Sequence, residues 1–330
     1  MTPVRAIESV TAEAFATVQA AAQPVVLKQL VADWPIVAAA RQSDQAVTAL
    51  LADFDAGLKV PLSILPPEAN GLCHYDASLT GVNFRTTPQW LEDIWPRLLS
   101  PPTDGSGYYV QSLPTETYLP RFAEAHAMPL LPPQVQPRLW LGTHVATQTH
   151  YDLMRNIACV VAGRRRFTLF PPDQQANLYP GPDDFTPGGA PLSLPDIRNP
   201  DFARWPRLRA ALDSAQVAEL EPGDALYIPY GWWHQVQSLA PFNALVNYWW
   251  NDADAARPLP RLAFKAALVA LRDLPDEQKA VWRHMFELFI FGDSEAAMAH
   301  LPAQVRGAYG ELTPERLKAL KAEIAAAFRA

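Results

Sequence analysis

Proline is the residue that most constrains the fold of this chain, because 33 of its 330 residues are prolines, about twice the average share of roughly 5%. A proline inside a helix removes a hydrogen bond and clashes with the preceding turn. The prolines therefore predict short strands and loops, rather than long helices, through the middle of the chain. Hydrophobic residues make up 49% of the sequence and charged residues 18%, which is enough apolar material for a folded core.

Short apolar or alternating runs, bounded by proline, glycine and aspartate, fill the chain from about residue 58 to residue 250. This pattern predicts many short strands, and their spacing favours a sandwich or barrel of antiparallel strands. The clearest runs are residues 108–111, 139–141, 157–161, 167–170, 225–228 and 244–248.

The two ends of the chain have a different pattern. About fifty residues at the start read as mixed helix and strand, with Thr11 as a plausible N-cap and residues 25–27 as a buried strand. The last part of the chain has helical periodicity, and Thr313 followed by proline marks the start of a helix. We therefore predict a β-rich domain over residues 1–255, with α/β elements at its start, and a helical region over residues 256–330.

The helical region carries an apolar face that is too wide for an isolated surface helix. Its members are Trp282, Met285, Phe286, Phe289 and Ile290. Such a face must be buried against another surface, either the body of the same chain or a second subunit. Periodicity alone leaves both alternatives open.

Charge and cysteine content narrow the choice of partner and compartment. The formal net charge is −7, and the single basic run is residues 164–166, so we expect no nucleic-acid partner. Two cysteines cannot form a disulfide framework, which favours a reducing compartment. The start of the chain has no signal-peptide pattern, and no window has the length of a membrane span, so we expect a cytoplasmic protein.

A candidate metal site is formed by His150 and Asp152 together with the later His234. Residues i and i+2 of a strand point to the same face, so His150 and Asp152 would project together from one strand. His234 follows a predicted turn and strand and can supply a third ligand. Two histidines and one carboxylate on one side of a metal form the facial triad of non-haem iron(II) oxygenases. A histidine and an aspartate at this spacing are common by chance, so the prediction of a metal site depends on all three residues together.

The sequence resembles the cupin-like JmjC oxygenases, over roughly Pro24 to Asn251. Among these it looks most like the branch of the asparaginyl hydroxylase that acts on hypoxia-inducible factor. The motifs that carry the resemblance are Gln23-Pro24-Val25-Val26-Leu27, Asp33-Trp34-Pro35, His150-Tyr151-Asp152, Leu169-Phe170-Pro171-Pro172-Asp173-Gln174, Leu178-Tyr179-Pro180, Pro222-Gly223-Asp224-Ala225-Leu226-Tyr227-Ile228-Pro229, Trp232-Trp233-His234 and Asn247-Tyr248-Trp249.

The resemblance implies a fold and a set of site residues. The fold would be mainly β with helices, a double-stranded β-helix (jelly roll) in which residues 1–255 form the catalytic domain. Fe(II) would be bound by His150, Asp152 and His234. The co-substrate 2-oxoglutarate would be bound by Tyr109, Thr147, Asn156 and Asn247. The C-terminal helices of related enzymes imply a homodimer.

One position departs from the family pattern. The family usually has a lysine two residues after the glycine that corresponds to Gly163, and here that position is Arg165. A guanidinium can pair with a carboxylate through two hydrogen bonds, so Arg165 can still anchor 2-oxoglutarate. Strand alternation puts Arg164 and Arg166 on the face opposite Arg165, which favours Arg165 as the anchor.

The function expected from the resemblance is an Fe(II)- and 2-oxoglutarate-dependent dioxygenase that uses O2 to hydroxylate a substrate. The substrate can be a protein, a peptide or a small molecule, and hydroxylation is preferred to demethylation. Two alternatives stay open: a redox-neutral, metal-dependent cupin enzyme such as an isomerase or lyase, and a ligand-binding cupin without catalysis.

Overall fold

The computed structural model describes residues 1–187, 190–251 and 259–328. The chain divides into two compact units, Met1–Asn251 and Asp252–Ala330. The boundary predicted between residues 255 and 256 lies outside the described residues.

The first unit is built from fifteen described strands. In chain order they are β1 (Thr2–Pro3), β2 (Arg5–Glu8), β3 (Val25–Lys28), β4 (Val60–Leu65), β5 (Leu72–Cys73), β6 (Arg85–Gln89), β7 (Gly107–Pro114), β8 (Pro137–Gly142), β9 (Ala146–Tyr151), β10 (Arg155–Ala162), β11 (Arg165–Phe170), β12 (Gln216–Leu220), β13 (Ala225–Ile228), β14 (Trp233–Ser238) and β15 (Asn243–Trp250).

These strands form two sheets, which we call the minor and the major sheet. The minor sheet has the order β1-β12-β11-β14-β9-β5, and the major sheet has the order β2-β3-β13-β10-β15-β8-β7-β4-β6. Neighbouring strands are antiparallel, except for the parallel pairs β1 with β12, β2 with β3 and β5 with β9. The predicted fold class, mainly β with helices in a jelly-roll arrangement, is confirmed.

The major sheet is apolar on both faces, and β10 shows why. Alternate residues of a strand face opposite sides. Ile157 and Cys159 point into the larger core, between the major sheet and the N-terminal helices. Ala158 and Val160 point into a second core, which they share with Phe167 of the minor sheet. The two sheets therefore pack face to face, and the near-continuous apolar run of β10 follows from burial on both sides.

Seven short helices accompany the sheets in the first unit. They are α1 (Ala12–Ala21), α2 (Pro35–Ala40), α3 (Asp44–Ala52), α4 (Leu91–Leu99), α5 (Thr115–Tyr118), α6 (Phe122–Ala125) and α7 (Leu208–Ser214). The predicted N-cap at Thr11 is confirmed, since its hydroxyl accepts a hydrogen bond from Ala14 N at 3.2 Å. The predicted strand at residues 25–27 is β3.

The second unit is helical over its described residues, as predicted. It contains α8 (Pro260–Leu271), α9 (Asp276–Phe286), α10 (Ser294–Ala297) and α11 (Pro314–Ala327), and a π-helical turn, Glu287–Phe291, follows α9. Thr313 caps α11, since its hydroxyl accepts a hydrogen bond from Arg316 N at 3.4 Å. None of the described helices is long and apolar enough to cross a membrane.

The apolar face predicted near residue 285 divides into two groups. Phe289 packs on Tyr309 with ring centroids 4.3 Å apart, and Phe286 lies beside Phe291. Trp282 and Ile290 of the predicted face, in contrast, are 40% and 66% exposed, and Phe291, which follows the face, is 72% exposed. The three long helices α8, α9 and α11 have no fully buried described residue. Much of the apolar surface of this unit is therefore uncovered.

Candidate metal centre

The three candidate metal ligands come from two paired strands of the minor sheet. His150 lies in β9 and His234 lies in β14, and the register places these residues directly opposite each other. Their ring centroids are 4.4 Å apart. Asp152 follows the end of β9, two residues after His150, so it emerges on the same side of the sheet.

The ligand atoms of these residues fit one metal ion. One ligand atom from each of His150, Asp152 and His234 lies within 4.8 Å of the others, and His234 Nε2 is 3.7 Å from Asp152 Oδ2. Nitrogen and oxygen donors of this kind suit Fe(II), Mn(II) or Zn(II).

Hydrogen bonds hold both histidines in the tautomer that a metal requires. His150 Nδ1 lies 2.8 Å from Gln148 O, and His234 Nδ1 lies 3.0 Å from Trp232 O. A carbonyl oxygen can only accept, so each Nδ1 carries the proton and each Nε2 presents a lone pair. Burial, and then the nearby His150, lower the pKa of His234 to about 4. The His234 ring is therefore neutral near pH 7, as a ligand must be.

A cavity between the two sheets opens beside these ligands. Its volume is about 40 Å³. Its lining mixes polar residues with apolar ones, and among the apolar residues Ala158, Phe167 and Leu245 belong to the core between the sheets. All eight residues predicted from the sequence line this one cavity: Tyr109, Thr147, His150, Asp152, Asn156, Arg165, His234 and Asn247.

Arg165 is buried in this cavity, and none of the described acidic residues forms an ion pair with it. Gly163 makes the turn before it with φ +69°, and a Cβ there would meet Phe242 O at 2.3 Å, so the turn requires glycine. Alternation along β11 then leaves Arg165 2% exposed, while Arg166 bonds to Glu219 at the surface. Burial lowers the pKa of the Arg165 guanidinium, and the Tyr109 hydroxyl opposes this shift.

The guanidinium of Arg165 has unused hydrogen-bonding capacity. Its Nε and Nη2 atoms are buried and have no hydrogen-bond partner among the described residues. Buried donors of native proteins are almost always paired, and an unpaired one calls for a specific explanation. A carboxylate of a bound ligand would accept from both atoms at once. The residues present therefore fit a metal ion together with an acid co-substrate.

Tyr109 and Thr147 lie beside this guanidinium. The Tyr109 hydroxyl is 3.3 Å from Thr147 Oγ1. Burial raises the pKa of Tyr109, and Arg165 opposes this effect in part. The phenol is therefore protonated near pH 7. Each hydroxyl has one hydrogen, so one of the two donates to the other and the second remains to donate to an acid group held by Arg165.

The two asparagines of the cavity are joined to each other and to a tryptophan. Trp140 Nε1 donates to Asn247 Oδ1 at 2.6 Å, and Asn247 Nδ2 donates to Asn156 Oδ1 at 3.1 Å. An indole N–H can only donate, so it fixes the orientation of the Asn247 amide and, through it, that of Asn156. The Asn156 Nδ2 group is then the end of the pair that remains to donate elsewhere.

Sequence reasoning missed two tryptophans that line the cavity, Trp140 and Trp249. Trp249 Nε1 donates to Asp152 Oδ2 at 3.0 Å. A signal for each exists in the sequence. Trp140 lies between Leu139 and Leu141, which point the other way, and Trp249 is two residues after Asn247 on the same strand.

Other histidines of the first unit do not form a competing site. His126 lies in a second hollow, but its Nε2 accepts from Ile36 N at 3.2 Å and its Nδ1 is 2.9 Å from Phe122 O. His144 is exposed and lines a different depression from the one that holds His150. Among the described residues, His150, Asp152 and His234 are the group placed to hold a metal ion.

Comparison with known proteins identifies a family. The family model described as a cupin-like domain matches residues 11–256, which is most of this chain. The match covers every residue that lines the cavity between the sheets.

Curated relatives match about a third of the chain. Lysine-specific demethylase JMJ31 of Arabidopsis thaliana is 37% identical over 114 residues, which are 34% of this chain and 20% of that protein. Jumonji C domain-containing protein 5 of Drosophila melanogaster is 37% identical over 121 residues, 36% of this chain and 29% of that protein. HSPB1-associated protein 1 of Homo sapiens is 36% identical over 113 residues, 34% of this chain and 22% of that protein.

These matches span less than a third of each relative's length. They support a JmjC-type cupin domain in general. They do not single out the branch of the asparaginyl hydroxylase acting on hypoxia-inducible factor, to which the sequence motifs had pointed.

Proposed function

This chain belongs to the cupin-like domain family, and from that premise we propose that it is an Fe(II)- and 2-oxoglutarate-dependent oxygenase. The observation that carries the proposal is the position of Arg165. Its unpaired, buried donors line the same cavity as the three candidate metal ligands. An acid that chelates the metal needs a metal site and a carboxylate site in the same cavity, and this cavity has residues for both.

Each residue of the cavity has a task in this reaction. His150, Asp152 and His234 would hold Fe(II) from one side and leave its other positions for the co-substrate and O2. Arg165 would bind the distal carboxylate of 2-oxoglutarate through Nε and Nη2, with Tyr109 beside it. Thr147, Asn156 and Asn247 would complete the polar lining.

Fe(II) held by these residues would supply the oxidation, in which 2-oxoglutarate, O2 and a substrate C–H group give succinate, CO2 and a hydroxylated product. The protein contributes the arrangement of the reactants. The apolar residues Ala158, Phe167 and Leu245 reduce the water in contact with the cavity, which would strengthen an ion pair between Arg165 and a bound carboxylate.

The substrate that fits our proposal best is a protein or peptide side chain that is hydroxylated. A demethylase is a second form of the same chemistry, because hydroxylation of an N-methyl group gives an unstable product that releases formaldehyde. The relative named lysine-specific demethylase favours testing this form directly. Product analysis distinguishes the two, since demethylation releases formaldehyde and side-chain hydroxylation does not.

The test is an anaerobic titration of the protein with Fe(II) and then with 2-oxoglutarate. We expect a visible charge-transfer band, and slow formation of succinate when O2 is admitted. His150→Ala should abolish both. His144→Ala is the matched control, because His144 is exposed and lines a different depression.

Two outcomes of this titration would overturn the proposal. A protein that binds metal tightly but gives neither the band nor succinate would be a redox-neutral cupin enzyme. A protein that binds no metal under any loading condition would be a ligand-binding cupin.

We also propose that the second unit pairs two copies of the chain. The exposed fractions of Ile290 and Phe291 are 66% and 72%, and Val269 and Leu259 reach 78% and 72%. A monomer seldom exposes this many large apolar side chains to solvent. A symmetric pair of these helices would bury them.

A further inference from the structure

We propose that Trp249 is a positioning residue for Asp152, and that its indole N–H orients this carboxylate towards the metal. The inference rests on the proposed function, because it assumes that Asp152 binds the metal.

Asp152 is the ligand that the sheet itself fixes least. His150 and His234 lie within β9 and β14 and face each other across the ladder. Asp152 lies after the end of β9, where its carbonyl accepts a hydrogen bond from Gly231 N at 2.9 Å. That bond holds the backbone and leaves the side-chain torsions free. A separate contact must therefore set the plane of the carboxylate.

Trp249 supplies that contact from the opposite sheet. Its Nε1 donates to Asp152 Oδ2 at 3.0 Å, and the same oxygen lies 3.7 Å from His234 Nε2. An indole N–H is a single donor on a rigid ring, so it defines one direction for its acceptor. Partners of this kind, which bond to a metal ligand from outside, orient the ligand and tune the metal.

The indole ring is itself held from two sides. Trp140 packs against it at a centroid distance of 5.8 Å and an angle of 81°. The Arg138 guanidinium lies 5.8 Å from the ring centroid, and Arg138 Nη1 donates to Ser112 O and to Ser112 Oγ. Ser112 has φ +52° and lies at an irregularity of β7, where such features often re-aim side chains near functional sites. The ring therefore has little freedom to turn.

The experiment compares Trp249→Phe with Trp250→Phe. Phenylalanine keeps an aromatic ring and removes the N–H. Trp250 is the neighbour on the same strand, and its ring packs on Phe15 and Tyr227, in the core on the other side of the sheet. Co(II) is the probe, because its absorption spectrum reports ligand geometry without turnover.

We expect Trp249→Phe to weaken Co(II) binding about ten-fold and to change the shape of the Co(II) absorption bands. Trp250→Phe should leave the Co(II) affinity and the Co(II) spectrum unchanged. A changed spectrum indicates a changed orientation of the ligand, which a general loss of stability would not produce. Arg138→Met is a second variant that keeps the N–H but frees one side of the ring, and we expect about a three-fold loss of Co(II) affinity.

The outcomes separate this inference from the proposed function. If the wild type binds Co(II) and 2-oxoglutarate, and Trp249→Phe matches it in affinity and spectrum, the positioning role is wrong and the proposed function stands. If Trp249→Phe does not fold, unchanged Co(II) binding in Arg138→Met overturns the role. A wild type that binds no Co(II) overturns both.

Discussion

Replacing Arg165 by methionine should change two measurable quantities in opposite directions. The substitution keeps a long, flexible side chain and removes the charge and every donor. Arg165 is 2% exposed, and its Nε and Nη2 atoms have no partner among the described residues. The affinity for 2-oxoglutarate should fall, and the stability of the protein without ligand should rise.

The loss of affinity follows from the two missing hydrogen bonds. A hydrogen bond to a charged group contributes about 1.5–3 kcal/mol, so a carboxylate bound by both atoms loses about 3 kcal/mol at the lower limit. Each 1.4 kcal/mol is a factor of ten, which gives an increase in Kd of about 100-fold. The interaction lies in a buried cavity, so salt should change this figure little.

The gain in stability follows from the same burial. Leaving buried donors unsatisfied costs about 1–3 kcal/mol, and methionine removes that cost because it has no donors. The substitution also removes the contact with Tyr109, and this loss offsets part of the gain in the free energy of unfolding. A net gain of about 1 kcal/mol raises the melting temperature of a domain of this size by about 2–4 °C. Melting curves should be recorded on metal-free protein without any 2-oxo acid.

Arg166→Met is the matched control. Arg166 is the next residue on β11, but its side chain is 46% exposed and pairs with Glu219 at 2.6 Å. Exposed pairs contribute about 0.2–1 kcal/mol, so this variant should bind 2-oxoglutarate like the wild type and melt no higher. Calorimetric titration with Mn(II) in place of Fe(II) measures the affinity without turnover. A Kd for Arg165→Met within three-fold of the wild type would refute the anchoring role of Arg165.

Three further results are expected. His150→Ala should lose Co(II) binding in calorimetry while keeping the wild-type circular dichroism spectrum, and undiminished binding would contradict the metal site. Glutamate at both Ile290 and Phe291 should convert a dimer to a monomer in light scattering, because two charges would then face the proposed interface; an unchanged mass contradicts that interface. Burial raises the pKa of the Cys73 thiol to about 12 and also raises that of Cys159. Neither thiol should react with Ellman's reagent at pH 8 until the protein is denatured, and rapid reaction of the native protein would show that the thiols are accessible.

Local periodicity was enough to predict which residues share a face of the sheet. The two-residue repeat of a strand puts His150 and Asp152 on one side of β9, and the structure has them there. The same repeat separates Arg165 from Arg166, of which the first is buried and the second exposed. These predictions needed only the residues of one strand.

Contacts between strands could not be predicted from the residues alone. That His234 lies opposite His150 depends on the register of β14 against β9, which the ladder and an irregularity after His234 decide. The bond from Trp249 to Asp152 joins different sheets, so it depends on how the sheets stack. No local pattern encodes either distance. What would cover Ile290, which is 66% exposed, is likewise not encoded in its own helix.

The place of β9 in the minor sheet has a consequence for handling the protein. β5 pairs with β9 only at Ala146 and Thr147, and further along, Thr149 O accepts from Ser193 N at 2.8 Å. The strand that carries His150 is thus paired along its length with β14, and on its other side only by the short β5 and the loop that contains Ser193. An ion shared by His150 and His234 would add a further link between β9 and β14. A chelator in a purification buffer would remove that link and favour local separation of β9 from β14. Separation would expose backbone N–H and C=O groups of β9, and such groups can pair with the sheet of another molecule. Metal-free preparations would therefore be prone to aggregate.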